Sequence, residues 1–232
     1  MTRRLSLLIA LCLALSLPVR AAEFETWRAP DGTTVWYAYA LPADYDPEKA
    51  YPVLLAMPPG SQAPSPVIEA MKAYWEPEGV RRGYIVISPA APFGQMFYRG
   101  GEKYVPGFLA AMAEIYNVDG KFHLAGVSSG GLSAFRIALE HPELFQSMTV
   151  LPGIPPLQRE FNEMVRLKGL RVSMYVGARD DQWRERSQRA AEELDLLGVD
   201  IHYEVVPNEG HIITTLMFEN AGLMFDRMEG RQ

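Results

Sequence analysis

Residues 126–131 read Gly-Val-Ser-Ser-Gly-Gly, and they stand where an apolar run, Phe122 to Val127, gives way to the apolar spacing of a helix. Gly126-Val127-Ser128-Ser129-Gly130 matches G-x-S-x-G in the setting that pattern requires, with a strand before it and a helix after. A serine on so sharp a turn adopts a strained backbone, often with positive φ, and the chain on either side passes close together. Side chains at 126 and 130 would collide there, which accounts for two of the glycines. Ser128 would stand exposed at a helix start that favours negative charge, as a nucleophile requires. The backbone N–H of Ser129 would then face a developing oxyanion. The plainer reading is a glycine-rich helix start in which Ser128 only caps the helix.

A serine nucleophile needs a base, and the base needs an orienting acid. The chain has four histidines. His123 lies inside a strand pattern and is expected in the core. His141 ends the helix after the serine, where an imidazole suits the helix C-terminus. His202 sits within a strand. His211 alone falls in a loop after a terminal strand, beside Gly210, which permits a tight bend, so it is the expected base. An acid is expected after a strand between serine and histidine. Gly177-Ala178-Arg179-Asp180-Asp181 follows Val172–Val176. Asp180 has the reach for the role, and Asp181 can instead cap the next helix. The second oxyanion donor is expected after the strand Pro52–Met57, in Pro58-Pro59-Gly60-Ser61. Proline has no N–H, so Gly60 or Ser61 would supply it.

The elements that must position these groups are legible in outline. Residues 24–29 and 33–41 form a hairpin pattern about Pro30-Asp31-Gly32. Apolar strands follow at 52–57, 84–88, 122–127, 147–151, 172–176 and 201–206. Helical patterns at 65–82, 104–116, 129–140, 157–168, 184–197 and 212–227 separate and follow them. This alternation predicts the α/β class: an eight-stranded, mostly parallel sheet with helices on both faces. Ligands in such sheets sit beyond the carboxyl ends of the strands, where Ser128, Asp180 and His211 all fall. Only about twenty residues separate the strands at 147–151 and 172–176, so no large cap domain is expected and the cleft should be open. The loop 92–103 offers Phe93, Met96, Phe97 and Tyr98 as pocket walls, with Arg99 or Lys103 to meet a substrate carboxylate. Alternatively it packs its own aromatics beneath it. Trp183 is a further candidate wall.

Composition narrows the function classes. The chain has 232 residues, enough for one domain with a continuous core, and a net charge of −6. Arg3 and Arg4 precede an apolar stretch from Leu5 to Leu17, Pro18 breaks it, and small residues at 19 and 21 suit a cut after Ala21. That is the pattern of a signal peptide over residues 1–21, followed by a mature domain 22–232 that is secreted or periplasmic, with no stable membrane anchor. An uncleaved anchor is the other reading. Leu11 before Cys12 argues against a lipoprotein. The cut removes the one cysteine and three of 22 basic residues but none of 28 acidic ones, taking the net charge to −9. No disulfide or thiolate metal site is then expected, and nothing favours nucleic acid or anionic membranes. No metal or other cofactor is expected: the glycine pattern lacks the third glycine and trailing acid of a dinucleotide site.

The segments GVSSGG, HPELF at 141–145, GARDD at 177–181 and EGH at 209–211 together resemble the α/β-hydrolase superfamily over nearly the whole mature chain. More narrowly the chain looks like secreted bacterial esterases: dienelactone-hydrolase-like, feruloyl-esterase-like and polyhydroxybutyrate-depolymerase-like proteins. The resemblance implies an α/β-hydrolase fold with Ser128 as nucleophile, His211 as base and Asp180 as acid, acting on small-molecule or polymeric esters. The chain departs from those patterns in having Met57-Pro58-Pro59-Gly60 where many relatives have His-Gly. It also lacks the cysteine found nearby in depolymerase-like chains, and it carries serine where dienelactone hydrolases use cysteine. Two other expectations compete: a serine peptidase of prolyl-oligopeptidase type, and a non-catalytic hydrolase-fold binding protein.

Overall fold

A computed structural model describes residues 23–231; the expected leader, residues 1–21, lies outside the described residues. Eight strands form one sheet: β1 (Glu23–Arg28), β2 (Thr34–Ala40), β3 (Val53–Met57), β4 (Ile85–Pro89), β5 (Phe122–Val127), β6 (Phe145–Leu151), β7 (Arg171–Gly177) and β8 (Asp200–Val206), in the order β1-β2-β4-β3-β5-β6-β7-β8. β1 pairs antiparallel with β2, and β2 antiparallel with β4. Every pairing from β4 to β8 is parallel. The hairpin turn forms as its residues predict, with Thr33 N–H donating to Asp31 Oδ1 at 2.9 Å and Gly32 N–H to the carbonyl of Ala29 at 2.9 Å.

The central strands are apolar on both faces because both faces are covered. In β3 the period of two divides the residues cleanly. Val53, Leu55 and Met57 join one core, and Leu54 and Ala56 the other. The first core contains the buried faces of α3 (Val105–Ile115), α4 (Ser129–Glu140) and α6 (Asp181–Leu196). The second lies under α1 (Pro64–Ala70), α2 (Glu76–Arg81) and α7 (Gly222–Met228). A π-helical turn, Met71–Trp75, joins α1 to α2, so that one continuous helical stretch covers the predicted 65–82. Such turns are frequent at functional sites.

Two predicted helices are shorter than expected. The 157–168 pattern yields α5 (Gln158–Phe161) and a 3-10 turn, Met164–Leu167. The 212–227 pattern forms 3-10 turns at Thr214–Leu216 and Phe218–Ala221 before α7. Phe218 takes φ +55, which interrupts the helix, and the carboxylate of Glu209 engages the N–H of Thr215 and the hydroxyl of Thr214. Side chain thus competes with helix for the local donors.

His123 is in the core, as its place in β5 predicts. Gln146 donates from Nε2 both to the carbonyl of Lys121 and to His123 Nε2, so His123 Nδ1–H must donate to Ser147 Oγ, 2.7 Å away. Burial, with Arg171 nearby, pushes this imidazole down from 6.5 to about 4. The unfolded chain takes up the proton near 6.5 and the folded chain near 4. The stability gained by keeping the ring neutral is therefore complete above pH 6.5 and is lost as pH falls toward 4. Urea unfolding of wild type and His123→Gln across that window should differ in slope. Wild type should lose roughly 3 kcal/mol more than the variant between pH 6.5 and 4.

Candidate active site

Ser128 stands between β5 and α4 with φ +56 and ψ −115, a left-handed backbone that non-glycine residues rarely adopt. Its N–H donates to the carbonyl of Leu151 on the neighbouring strand end at 3.0 Å, which holds the elbow in place. The flanking glycines are required by close backbone approach. A Cβ at Gly126 would run into the carbonyl of Gly130, and a Cβ at Gly130 into the carbonyl of Met57. The second contact brings α4 against the end of β3, and so against the loop Pro58–Gln62.

The loops after β7 and β8 are joined to each other by backbone hydrogen bonds. Arg179 N–H donates to the carbonyl of Glu209 at 2.8 Å, and Ala178 N–H to that of Val206 at 2.9 Å. Gly177 permits this contact, since a Cβ there would meet the carbonyls of Gly210 and Glu209. The Glu209 side chain is buried, yet it accepts from Thr214 Oγ1 at 2.9 Å and Thr215 N–H at 2.8 Å. Burial would raise its carboxyl, but these hydrogen bonds outweigh burial and hold it below its ordinary value. The loop beyond His211 is anchored on the π-turn side, with Ile213 and Tyr74 buried in the same core. Burial pushes the Tyr74 hydroxyl up to about 12, so it stays protonated.

These loops bring together three residues far apart in sequence. His211 Nδ1 lies 2.6 Å from Asp180 Oδ2, and His211 Nε2 lies 2.8 Å from Ser128 Oγ. An ionised carboxylate only accepts, so Nδ1 carries the proton and Nε2 is left to accept from the serine hydroxyl. Asp180 is largely shielded, its side chain 13% exposed, whereas that of Asp181 is 83% exposed and pairs with Arg184 at 2.7 Å. The two adjacent aspartates are thus separated: one faces the imidazole, the other the first turn of α6. Hydroxyl, imidazole and carboxylate in this series can activate the oxygen for attack and return the proton to a leaving group.

A cavity of about 360 Å³ opens on Ser128 and His211. Val127, Ala70, Ala73, Tyr74, Ile212 and Met217 give it mostly apolar walls, and Pro59 and Gly60 form one side. Ser129 is the first residue of α4, so its N–H has no carbonyl one turn earlier to bond. Its hydroxyl donates to the carbonyl of Gly60 at 2.8 Å, tying the elbow to the loop after β3. Of the two residues expected to offer a second donor, Gly60 lines the cavity and Ser61 does not.

The expected pocket walls on loop 92–103 are corrected. Phe97 is 1% exposed and packs in the first core with Phe108 and Tyr37. Phe93 is 91% exposed, and neither it nor Tyr98 lines the cavity. Arg99 lies over the Tyr98 ring, and Lys103 over that of Tyr104. The loop is drawn down by Phe97 and by the ion pair of Glu102 with Arg136 of α4, not turned toward Ser128. Trp183 is outside the cavity lining too, but its ring stands 5.6 Å from that of His211. His141 and His202 lie beside Glu143 and Glu204. Among the described residues no cluster of three or more His, Cys, Asp or Glu could hold a metal ion, and no helix is long and apolar enough to cross a membrane.

No family model matches the sequence, and a search of curated proteins finds no match. The backbone, in contrast, superposes on many solved structures. A thermostable esterase is similar with a TM-score of 0.68 at 18% identity, over 82% of this chain and 56% of that one. A ferulic acid esterase is similar with a TM-score of 0.64 at 17% identity, over 89% of this chain and 96% of that one. Porphyromonas gingivalis dipeptidyl peptidase 4 has a TM-score of 0.67 at 15% identity, over 88% of this chain. The chain spans about half of the first of these and about a third of the peptidase.

The chain has the α/β-hydrolase fold. Within an α/β-hydrolase the order serine, acid, histidine along the chain is the one seen here, each residue leaving a different strand end. Gly177 and Glu209 support that arrangement, although no motif in the sequence singles them out for it. A glycine ending an otherwise bulky β7 was the one available signal.

Asp180→Asn and Asp181→Asn should separate cleanly when the rate of Ser128 phosphonylation by a fluorophosphonate probe is followed. Asp180→Asn should slow labelling by about a thousandfold, because the amide favours the wrong imidazole tautomer. Asp181→Asn should stay within about threefold of wild type, as expected for an exposed pair.

Proposed function

We propose that this chain is a serine hydrolase that cleaves carboxylic esters through an acyl-enzyme on Ser128, exported by the leader read at residues 1–21. The observation that carries the reading is the unbroken hydrogen-bonded series Asp180–His211–Ser128, with the serine on a positive-φ elbow. Ser128 Oγ attacks the carbonyl carbon as its proton passes to His211 Nε2, and the carbonyl electrons move to oxygen. Asp180 holds the imidazole in the reactive tautomer and stabilises its charged form. The N–H groups of Ser129 and Gly60 receive the oxyanion, each contributing about 3 kcal/mol. Collapse expels the alcohol or phenol, which takes the proton from His211. Water then attacks the acyl group by the same route, releasing the acid and returning the proton to Ser128.

The apolar cavity supports an alkyl or aryl body on the substrate. Glu69 is the one carboxylate among the lining residues, and its Oε1 accepts from Ser65 Oγ at 2.7 Å. It disfavours substrates that end in a carboxylate, in place of the Arg99 or Lys103 partner expected from sequence. Glu69 is also the feature that favours a second reading, a peptidase that holds a substrate amine. The likeness to dipeptidyl peptidase 4 covers 35% of that protein, whereas the chain spans almost the whole ferulic acid esterase.

A panel of p-nitrophenyl acyl esters, aryl esters and dipeptidyl p-nitroanilides decides between them. Wild type should turn over neutral esters, with Ser128→Ala at the uncatalysed background, and should favour a neutral acyl chain over its ω-carboxylate analogue. Turnover confined to the anilides would favour the peptidase, and neither turnover nor probe labelling would leave a binding protein. In the same panel Ala73→Phe, which fills the cavity, should cut kcat/KM for hexanoate and aryl esters at least tenfold while acetate stays within about threefold.

A further inference from the structure

Gln62 is a polar side chain with 0% exposure, and its backbone lies at φ +56, where side chains are rarely found. Each polar group it possesses is used. Nε2 donates to the carbonyl of Pro58 at 3.1 Å and to Ser133 Oγ at 2.8 Å. Oε1 accepts from Phe97 N–H at 2.8 Å. Its backbone N–H donates to Pro59 and its carbonyl accepts from Ala91, at 3.1 and 2.7 Å. Ser133 Oγ donates in turn to the carbonyl of Ser129 at 3.0 Å. One amide therefore reaches the Pro58 carbonyl, two residues before Gly60, on one side and the helix turn that begins with Ser129 on the other. The hydroxyl of Ser129 closes the circuit on the Gly60 carbonyl. Gln62 itself does not line the cavity.

We infer that Gln62 is a positioning residue that sets the distance and aim of the Gly60 and Ser129 N–H groups toward one shared oxygen. This rests on the ester-hydrolase reading above. The amide is suited to the task because it offers two donors and an acceptor in one plane. Glutamate would put an acceptor against the Pro58 carbonyl, and methionine would fill the volume with no hydrogen bond. Two backbone donors on separate loops stabilise an oxyanion only if their spacing is held before the charge appears. The strand end of β3 cannot hold it, since Pro58 and Pro59 bring no N–H to a ladder.

The full chain carrying Gln62→Met or Ser133→Ala is compared with wild type in four measurements. These are kcat and KM on a p-nitrophenyl ester, the rate of Ser128 phosphonylation, inhibition by a trifluoromethyl ketone against its methyl ketone analogue, and the melting temperature. The trifluoromethyl ketone adds Ser128 Oγ and leaves an oxyanion on the former carbonyl oxygen, whereas the methyl ketone binds without appreciable addition. Gln62→Met should lower kcat about 10- to 100-fold with KM within threefold. The trifluoromethyl ketone should weaken by the same factor and the methyl ketone hardly at all. Ser133→Ala, which leaves the other Gln62 bonds in place, should lie between. A folded Gln62→Met with wild-type kcat, or one that weakens both ketones and raises KM alike, overturns the proposal. If Gln62→Met does not fold, a wild-type kcat in Ser133→Ala overturns it. If wild type is labelled by the probe but cleaves no ester, the ester reading fails alone, and the phosphonylation rates still decide the role of Gln62.

Discussion

Backbone touching backbone is the constraint on which this site depends. Gly130 lies against the carbonyl of Met57, Gly126 against that of Gly130, and Gly177 against those of Glu209 and Gly210. A methyl group at any of these positions would have to push main chain aside, and packed strands cannot give that much. Through those contacts the ends of β3, β5, β7 and β8 come close enough for their loops to share hydrogen bonds. The strain at Ser128 is part of the same arrangement. Its positive φ is held by the bond to Leu151 and by α4 lying close against the end of β3.

Two buried polar side chains that hold the loops of the site have their partners complete. Gln62 uses every donor and acceptor it has, and the Glu209 carboxylate holds two donors from the loop that follows His211. His123, on the strand that leads into Ser128, is satisfied by Ser147 and Gln146 and kept neutral by burial. An imidazole on one strand thus serves the core while another, in a loop, stands half exposed beside a carboxylate. The difference is environment and not residue type: burial keeps the first neutral, while the second faces the Asp180 carboxylate.

The π-turn shows how the fold makes room. Met71, Tyr74 and Trp75 lie in the second core, and Tyr74 also lines the cavity together with Ala73. Small side chains at 70 and 73 leave the cavity, and Tyr74 shares the second core with Ile213 of the His211 loop. One wall of the cavity comes from a helix that belongs to the core layer. The other comes from Ile212 and Met217, in the segment that gives up helix for turns.

Much of this was readable in advance. The period of two in β3, the uninterrupted apolar strands and the glycines about Ser128 depend on local chemistry, and they specified the sheet, its helices and the elbow. The choice of His211 among four histidines also followed from sequence, because the other three lay in strands or at a helix end. Sequence could rank Asp180 above Asp181 but could not separate them: neighbours in the chain differ only in where α6 begins, and that depends on packing. It could not see that Phe97 of loop 92–103 turns into the core while Phe93 stays exposed. The same aromatics suit a pocket or a core, and the hydrogen bond from Phe97 to Gln62 comes from 35 residues away. Local residue order determined which groups are able to do chemistry. Tertiary structure alone decided which of them meet, because hydrogen bonds and close backbone contacts between distant loops exist only once the strand ends are side by side.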